Sequence, residues 1–368
     1  MVYCINPKCK QRENPDTADT CLGCGSPLRI GDRFRLIAPL RPLDEPSNSE
    51  IFEVEDLRIG HHQGSDPELQ KPPRKKVLKV LKRNSETAIQ LLKREADVLK
   101  SLRHPGLAVI HSDDGYFTVT LPQRKKLLHC LVMEKVPGVD LRTFVETQGT
   151  VDPTQALSWL LQLLDILDYL HQHRHLHRDI KPSNIMVRLD GQLVLIDFGT
   201  VREVSHTIVA RLMGNEVTGL GIFSPGYTAP EQVAGRTVPQ SDLYAVGRTM
   251  VFLLTGIHPL ELDVDAETGV LKWRDQAPHT PPFLADWLDY LMESLFWQRP
   301  PNATYVRRHL NQNLPVPAAR RSPRSALLWL KLINLGLFSI LLVTAMLWVQ
   351  GHRDAQRTNP QDGIIQLN

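Results

Sequence analysis

The sequence has little net charge, few cysteines and no apolar leader. The formal net charge of this 368-residue chain is only +3, which is too small to predict a nucleic-acid partner. The apolar and charged fractions, 42% and 23%, are ordinary for globular protein and exclude wholesale disorder. The chain is polar from Asn6 onward, so no cleavable secretion signal is expected. Its length predicts two or more folded units.

Cysteine is scarce and unevenly distributed, because four of the five cysteines lie within the first 24 residues. Cys4 and Cys9 flank four residues, whereas Cys21 and Cys24 flank two. Two such pairs offer four thiolates to a tetrahedral Zn²⁺ ion, so we predict a zinc ribbon over residues 1–30. A disulfide pair or a metal-free redox site is the alternative. A segment this short has almost no core, so bound metal would supply most of its folding free energy.

The polar loop of the predicted ribbon carries a short basic run, Lys8, Lys10 and Arg12. We interpret it as a solvated loop; the weaker alternative is a nucleic-acid module whose binding depends on salt. Gly25 follows the second cysteine pair and predicts a tight turn that directs backbone amides at a sulfur. The fifth cysteine, Cys130, lies in an apolar stretch and is interpreted as a small core residue.

Four polar side chains stand out in an otherwise apolar stretch of the chain, residues 175–199. They are Asp179, Lys181, Asn184 and Asp197. Phosphoryl transfer requires such a set, because it needs a residue that orients the attacking hydroxyl, ligands for magnesium and positive charge on the phosphates. An ordinary core does not place a base, a cation, an amide and a second carboxylate so close together.

The same stretch contains His-Arg-Asp at 177–179, an Asn five positions after that Asp, and Asp-Phe-Gly at 197–199, with a hairpin turn between them. These motifs, in this order and at this spacing, closely resemble the catalytic core of bacterial eukaryotic-type (Hanks-type) serine/threonine protein kinases. The resemblance implies an α+β, bilobal protein-kinase-like fold. Its small lobe would cover residues 31–136 and its large lobe residues 137–314.

The resemblance assigns a role to each residue of the catalytic loop. Asp179 would orient the substrate hydroxyl or accept its proton, and Lys181 would neutralise the transferring phosphate. Asn184 and Asp197 would hold Mg²⁺ or Mn²⁺, and Met186 would lie under the adenine of ATP.

In the small lobe, Lys79 on a predicted strand (76–81) matches the family's phosphate-binding lysine. An exposed charge in a basic run is the alternative for Lys79. Glu95, on a helix predicted over 85–102 with Ser85 as its N-cap, matches the glutamate that pairs with this lysine. The other expected ATP contacts are Val77, Met133, Glu134 and Val136.

One turn departs from the family pattern. Between two predicted strands, 33–40 and 50–55, the family has a glycine-rich turn whose backbone amides cover the ATP phosphates. Here the turn (residues 41–49) contains no glycine. We expect its side chains to hold the backbone away from the nucleotide, and Asp44 and Glu45 to repel phosphate. The alternative function is therefore a pseudokinase or scaffold with weak or no ATP turnover.

The resemblance also implies an activation segment and several structural positions. The segment covers residues 200–227, with Thr207, Thr218 and Ser224 as hydroxyl residues, and Ser224 is expected to contact Asp179 and Lys181. The structural residues are a packed histidine, the phenylalanine of Asp-Phe-Gly, a buried ion pair and an aspartate that anchors the catalytic loop: His177, Phe198, Glu231 with Arg299, and Asp242.

After a predicted Pro/Arg linker (315–325), the chain becomes apolar over residues 326–349. The charge-free part, 332–349, would form a helix about 27 Å long, enough to span a bilayer. Trp329 and Trp348 lie near its ends, as in an aromatic belt. A buried soluble helix is the alternative.

Arginines precede the predicted span, so the positive-inside rule places the kinase lobes in the cytoplasm and residues 350–368 in a short external tail. A reducing cytoplasm favours zinc over disulfides. The arrangement resembles cyanobacterial membrane-anchored kinases with a four-cysteine prefix, which implies a single-pass protein of the plasma or thylakoid membrane. The expected partners are protein substrates with Ser or Thr, the membrane and, for autophosphorylation in trans, a second copy of the chain.

Overall fold

The computed structural model describes six stretches of the chain: residues 1–44, 47–60, 75–121, 126–198, 202–203 and 224–312. Nearly all of them belong to one compact unit, Met1–Asp265 with Gly269–Val316. The predicted membrane span, residues 326–349, lies outside the described residues. Among the helices that the structure describes, none combines the length and the apolar character needed to cross a bilayer.

A six-stranded antiparallel sheet forms the small lobe, in the order β3-β4-β5-β6-β8-β7. Buried and more exposed residues alternate along β4, because one face of the sheet packs on the core. The predicted strands are confirmed to within two residues at each end. Cys130 is fully buried in β8, as expected of a core residue, and burial raises its pKa to about 12. The strands are β3 (Arg29–Ile30), β4 (Phe34–Pro39), β5 (Ser49–Asp56), β6 (Lys75–Leu81), β7 (Gly115–Leu121) and β8 (Lys126–Glu134).

One helix, α1 (Glu86–Ser101), packs against this sheet. The predicted cap is confirmed, because the Ser85 side chain accepts a hydrogen bond from the backbone N–H of Ala88. Glu95 and Leu99, four residues apart, lie on the same buried face. The helix therefore carries a carboxylate into the interior of the lobe.

The large lobe is built around α3, which is fully helical from Pro153 to Gln172. Asp152 caps its N-terminus, and leucines form most of its buried face. This helix packs on α5 and α7. The helices of the large lobe are α2 (Leu141–Gln148), α3 (Pro153–Gln172), α4 (Pro230–Val233), α5 (Pro239–Thr255), α6 (Pro282–Leu291) and α7 (Ala303–Asn311).

Short strands carry the catalytic loop. Strands β9 (Val139–Asp140), β11 (Ile185–Val187) and β12 (Leu193–Leu195) form a three-stranded sheet in the order β12-β11-β9. Strand β10 (His175–Leu176) pairs with β13 (Arg202–Glu203). The predicted hairpin turn joins β11 to β12, and its Gly191 has a φ of 81°, which glycine adopts without steric cost.

The N-terminal segment, with β1 (Val2–Tyr3) and β2 (Glu13–Asn14), packs directly on the small lobe. Ile5 is fully buried in the same apolar cluster as Phe34 and Phe52. Strand β3, at the end of the predicted ribbon, is an edge strand of the lobe's sheet. The predicted boundary after residue 30 falls directly behind this strand, so the predicted ribbon contributes one strand to the sheet of the small lobe.

The interpretation of the basic run as a solvated loop is wrong for Arg12. Its guanidinium forms a 2.8 Å ion pair with Glu50 of β5, and only 10% of the Arg12 side chain is exposed. The same guanidinium donates to the Cys4 carbonyl and lies over the Phe52 ring. Arg12 thus joins the ribbon to the lobe, which removes it from any nucleic-acid surface, whereas Lys8 and Lys10 are exposed.

Candidate active site

A cavity of about 350 Å³ lies between the two lobes. Four of the predicted ATP contacts, Val77, Met133, Val136 and Met186, line it. Ala108, which the sequence did not single out, packs with Val136 beside Met186 and adds to the apolar wall. A mostly apolar cavity with a few polar groups at one end is typical of a small-molecule site.

The other two predicted contacts, Lys79 and Glu134, also line the cavity, but the carboxylate of Glu134 is engaged elsewhere. It accepts a hydrogen bond from the backbone N–H of Val109 and forms a 3.2 Å ion pair with Arg188. The ion pair links the end of β8 to the large lobe.

Three charged side chains meet at the polar end of the cavity. Lys79 of β6 lies 2.8 Å from Glu95 of α1 and 2.8 Å from Asp197, which follows β12. The backbone N–H of Phe198 donates to the other oxygen of Glu95. The structure thus brings together three residues, separated by up to 118 positions, that the sequence analysis assigned to one site.

Burial opposes charge at this end of the cavity, and the three groups offset that cost for one another. Burial disfavours the ammonium of Lys79, but the two carboxylates raise its pKa above the ordinary value. Burial disfavours ionised Asp197 too, yet the charges of Lys79 and Arg41 hold its pKa below the ordinary range. For Glu95 burial outweighs Lys79, so its pKa is raised.

The catalytic loop places its polar groups around Asp179. Lys181 Nζ lies 3.0 Å from Asp179 Oδ2 and donates to Ser224 Oγ at 2.8 Å. Ser224 in turn donates to Asp179 Oδ1 at 2.5 Å. The contacts expected of Ser224 are therefore present.

Asn184 turns its amide so that one atom has no protein partner. Its Nδ2 donates to the carbonyl and to Oδ2 of Asp179, at 2.8 and 2.9 Å. Its Oδ1 is buried and has no hydrogen-bond partner among the residues that the structure describes. A buried orphan oxygen, in a site that also contains the Asp197 carboxylate, fits the oxygen ligands that Mg²⁺ prefers.

The backbone at this site is strained and held by a buried carboxylate. Arg178 and Asp197 have φ values of 72° and 66°, in the left-handed region that non-glycine residues rarely adopt. Asp242 of α5 accepts hydrogen bonds from the backbone N–H groups of His177 and Arg178, at 3.0 and 2.8 Å. Asp242 therefore anchors the catalytic loop, as predicted.

One supporting residue was missed. His171 Nε2 lies 2.9 Å from Asp242, which gives that buried carboxylate a third partner. The sequence showed His171 only as one of several alternating histidines, and its contact with α5, 71 positions away, leaves no local pattern. The predicted packing of His177 is present, since its ring meets Phe198 edge-on at 4.9 Å.

The glycine-free turn between β4 and β5 places a side chain at the cavity. Nothing in the sequence assigned this residue to the site. Arg41 lines the cavity beside Leu40. Asp44 is exposed and does not line it, so the expected repulsion of phosphate is not supported for Asp44. Glu45 lies outside the described residues.

Comparison with known proteins agrees with this geometry. A family model described as protein kinase domain matches residues 70–300. The chain belongs to the protein kinase family. Serine/threonine-protein kinase B of Synechocystis sp. is 31% identical over 74% of this chain and 45% of its own length. Serine/threonine-protein kinase PknA of Nostoc sp. is 42% identical over 43% of this chain and 28% of its own length. The kinase chain thus spans less than half of these relatives.

The large lobe of the kinase contains the expected buried ion pair. Arg299 NH1 lies 2.7 Å from Glu231 Oε1, and the arginine side chain is completely buried. Ser241 also donates to Glu231, and the guanidinium lies over the Tyr244 ring. These contacts satisfy a buried carboxylate that would be costly if unpaired.

Part of the activation segment falls outside the described residues. Thr207 and Thr218 lie there, so their assignment stays a prediction. Ser224, at the end of the segment, is described above. Arg178, whose position before Asp179 suggests a segment ordered by an anion, donates to Thr237 Oγ1 at 2.9 Å.

The four N-terminal cysteines form one cluster. All four sulfurs lie within 4.8 Å of one another, and the pairs Cys4–Cys24 and Cys9–Cys21 are each 3.6 Å apart. A tetrahedral Zn²⁺ with ligands at about 2.3 Å needs sulfurs roughly 3.8 Å apart, so the cluster fits this ion. None of the cysteines is in a disulfide.

Polar groups around the cluster act on the sulfurs. Burial and the neighbouring thiols raise the pKa of Cys9 to about 11, so its ionisation needs a nearby cation. Burial also raises the pKa of Cys24, but hydrogen bonds, chiefly from Ser26, outweigh it and lower that pKa to about 6. The backbone N–H of Asn6 points at the Cys4 sulfur. The backbone of Ser26, the residue after Gly25, also forms a hydrogen bond with the Cys24 sulfur, as expected of a turn that directs backbone amides there.

Proposed function

We propose that this chain is a serine/threonine protein kinase that transfers the terminal phosphate of ATP to Ser and Thr hydroxyls of proteins. The observation that supports this most is the convergence of Lys79, Glu95 and Asp197, from three separate elements, at the polar end of an apolar cavity. The curated relatives named above are serine/threonine-protein kinases, which favours the same reaction.

The cavity would bind the nucleotide with its base among the apolar side chains and its phosphates at the polar end. Lys79, oriented by Glu95, would bind phosphate oxygens. Asn184 and Asp197 would hold magnesium, which supplies positive charge to the phosphates. Catalysis of this kind depends on positioning and electrostatic stabilisation.

Asp179 would receive the substrate. Its Oδ1 already accepts a hydrogen bond from the hydroxyl of Ser224, so this oxygen faces a position where a hydroxyl can donate. A substrate Ser or Thr in that position would be oriented for attack and would give its proton to the carboxylate. Lys181, 3.0 Å from the other oxygen of Asp179, would stabilise negative charge on the transferring group.

The test is phosphate transfer by the purified full chain, with labelled ATP, magnesium and a basic protein that contains Ser, Thr and Tyr. We expect label on Ser and Thr. The Asp179→Asn variant should lose transfer but keep its fold and nucleotide binding, because the side chain keeps its shape; its stability should fall only by the contacts of the lost acceptor oxygen. Asp263→Asn, at an exposed position in the same lobe, should transfer phosphate like the wild type.

A pseudokinase would bind nucleotide and transfer nothing, so a wild-type chain with that behaviour would reject the proposal. Transfer retained by Asp179→Asn would reject the role given to Asp179. The glycine-free turn is the feature that favours a pseudokinase, whereas every charged residue of the site is present.

The proposal includes two further parts. The cysteine cluster would bind Zn²⁺, because four sulfurs converge with suitable spacing. The apolar segment 326–349, with its charge-free part 332–349, would cross the plasma or thylakoid membrane once, with the kinase lobes in the cytoplasm. A second copy of the chain would be the partner for autophosphorylation in trans.

A further inference from the structure

Arg41 lies where two concave surfaces of the molecule meet. It lines the nucleotide cavity together with Lys79 and Asp197. It also lines a neighbouring open groove, here called the outer groove, which contains Lys181 and Ser224. In the proposed reaction the terminal phosphate must lie between these two surfaces, because it passes from the nucleotide to a hydroxyl near Asp179.

Two backbone positions at the start of the turn offer no N–H donor to a phosphate. The N–H of Leu40 is used in the strand ladder, where it donates to the Ile51 carbonyl. Pro42 has no N–H. Without glycine, the side chains also keep the backbone from approaching a ligand closely.

The guanidinium of Arg41 is available to an anion. Arg41 is half-buried, and within the described part of the chain it forms no hydrogen bond or ion pair. A guanidinium has five N–H donors in a fixed fork that matches phosphate oxygens.

We propose that Arg41 binds the terminal phosphate of ATP and takes the place of the backbone amides that a glycine-rich turn would supply. This rests on the proposed function, because it assumes that the cavity binds ATP. One charged side chain at the start of the turn then replaces a row of amides. On this proposal, the turn without glycine still binds phosphate, but through a side chain and not through backbone amides.

The experiment measures binding, so that it does not depend on turnover. The full chain is titrated calorimetrically, in the presence of Mg²⁺, with a non-hydrolysable ATP analogue, with ADP and with adenosine. Arg41→Ala should weaken binding of the analogue about ten-fold or more, weaken ADP less and leave adenosine unchanged. Arg41→Lys keeps the charge without the fork and should fall between Arg41→Ala and the wild type.

The matched control is Arg83→Ala, which removes the same charge from an exposed position of the same lobe that lines neither surface. It should bind all three ligands like the wild type. An equal loss for the three ligands in Arg41→Ala, or unchanged affinity for the analogue, would overturn the proposal. Thermal unfolding of each variant checks that the fold is intact.

The two proposals fail in different ways. If the wild type binds the analogue but transfers no phosphate, the proposed function is rejected, while the affinity change in Arg41→Ala still decides the role of Arg41. If the wild type binds none of the three ligands, both proposals are overturned.

Discussion

At the scale of single residues, the site depends on buried charged side chains that contact more than one partner. Lys79, for example, lies against both Glu95 and Asp197. Lys79, Glu95, Asp179 and Asp197 could be predicted because short motifs identify them, and their partners lie at predictable family positions. Arg41 could not be predicted in the same way. Its importance depends on which surfaces it lines, and the sequence shows only that glycine is missing.

Asp242 supports a prediction about acid stability. It is 1% exposed and accepts from two backbone N–H groups as well as facing His171. An asparagine keeps only one acceptor oxygen, so Asp242→Asn should lower the free energy of unfolding at pH 7 by about 1–3 kcal/mol and slow phosphate transfer. Urea denaturation and the transfer assay measure the two effects.

The stabilising contribution of Asp242 should depend on pH. Burial disfavours ionised Asp242, but its contacts with His171 outweigh burial and hold the pKa below the ordinary value. Its contribution is therefore present above the unfolded pKa and is lost as the pH falls through the folded pKa. The stability difference between wild type and variant should shrink below about pH 4. A difference that stays constant from pH 7 to pH 3, or an equal loss in Asp263→Asn, would contradict this.

At the scale of elements, long periodic segments were predictable and short pairings were not. Helix α1 and its Ser85 cap follow from apolar spacing and capping chemistry. Strand β3 has only two residues, so it shows no alternation, and its pairing with β4 is visible only in the fold. For the same reason the contact between the cysteine segment and the lobe could not be predicted.

Through that contact, zinc binding at the proposed site should stabilise the small lobe. Ile5, one residue after Cys4, is fully buried in the lobe's apolar cluster. Arg12 links the Cys4 carbonyl to Glu50 of β5. Stripping zinc from the full chain should therefore speed hydrogen exchange in β4 and β5 and leave α6 of the large lobe unchanged.

The measurement is hydrogen exchange followed by mass spectrometry, on protein whose zinc content has first been determined. Ile5→Ala is the informative variant, because it leaves the cysteines in place but weakens the contact. Its small lobe should be less stable than that of the wild type by about 2–5 kcal/mol. Leu22→Ala, at a 67% exposed position of the same segment, should have little effect. If the hydrogen-exchange rates in β4 and β5 were the same with and without zinc, the cysteine segment and the small lobe would not be coupled.

At the scale of the whole molecule, the two lobes enclose one cavity, and the order of motifs along the chain was enough to predict that arrangement. Residues 70–300 carry the family match and contain the catalytic-loop and ion-pair residues. The turn that carries Arg41 and the cysteine segment both precede that range.

The last prediction concerns where the molecule resides. The run 332–349 contains no charged residue, and Arg320, Arg321 and Arg324 precede it. If it spans a bilayer, the full chain should sediment with membranes, resist a high-salt wash and dissolve only in detergent. A chain ending at residue 314 should be soluble and should still transfer phosphate, because every residue assigned to the active site precedes that point.

A second variant tests whether membrane attachment requires the apolar character of the run or only the presence of these residues. Leu337→Arg combined with Leu341→Arg keeps all 368 residues but places two charges near the middle of the run. Each arginine costs about 2.5–3.5 kcal/mol at the centre of a membrane helix, so this variant should leave the membrane fraction. A truncated chain that stays with membranes, or a full chain released by salt, would show that attachment uses a surface of the kinase lobes and not the apolar run.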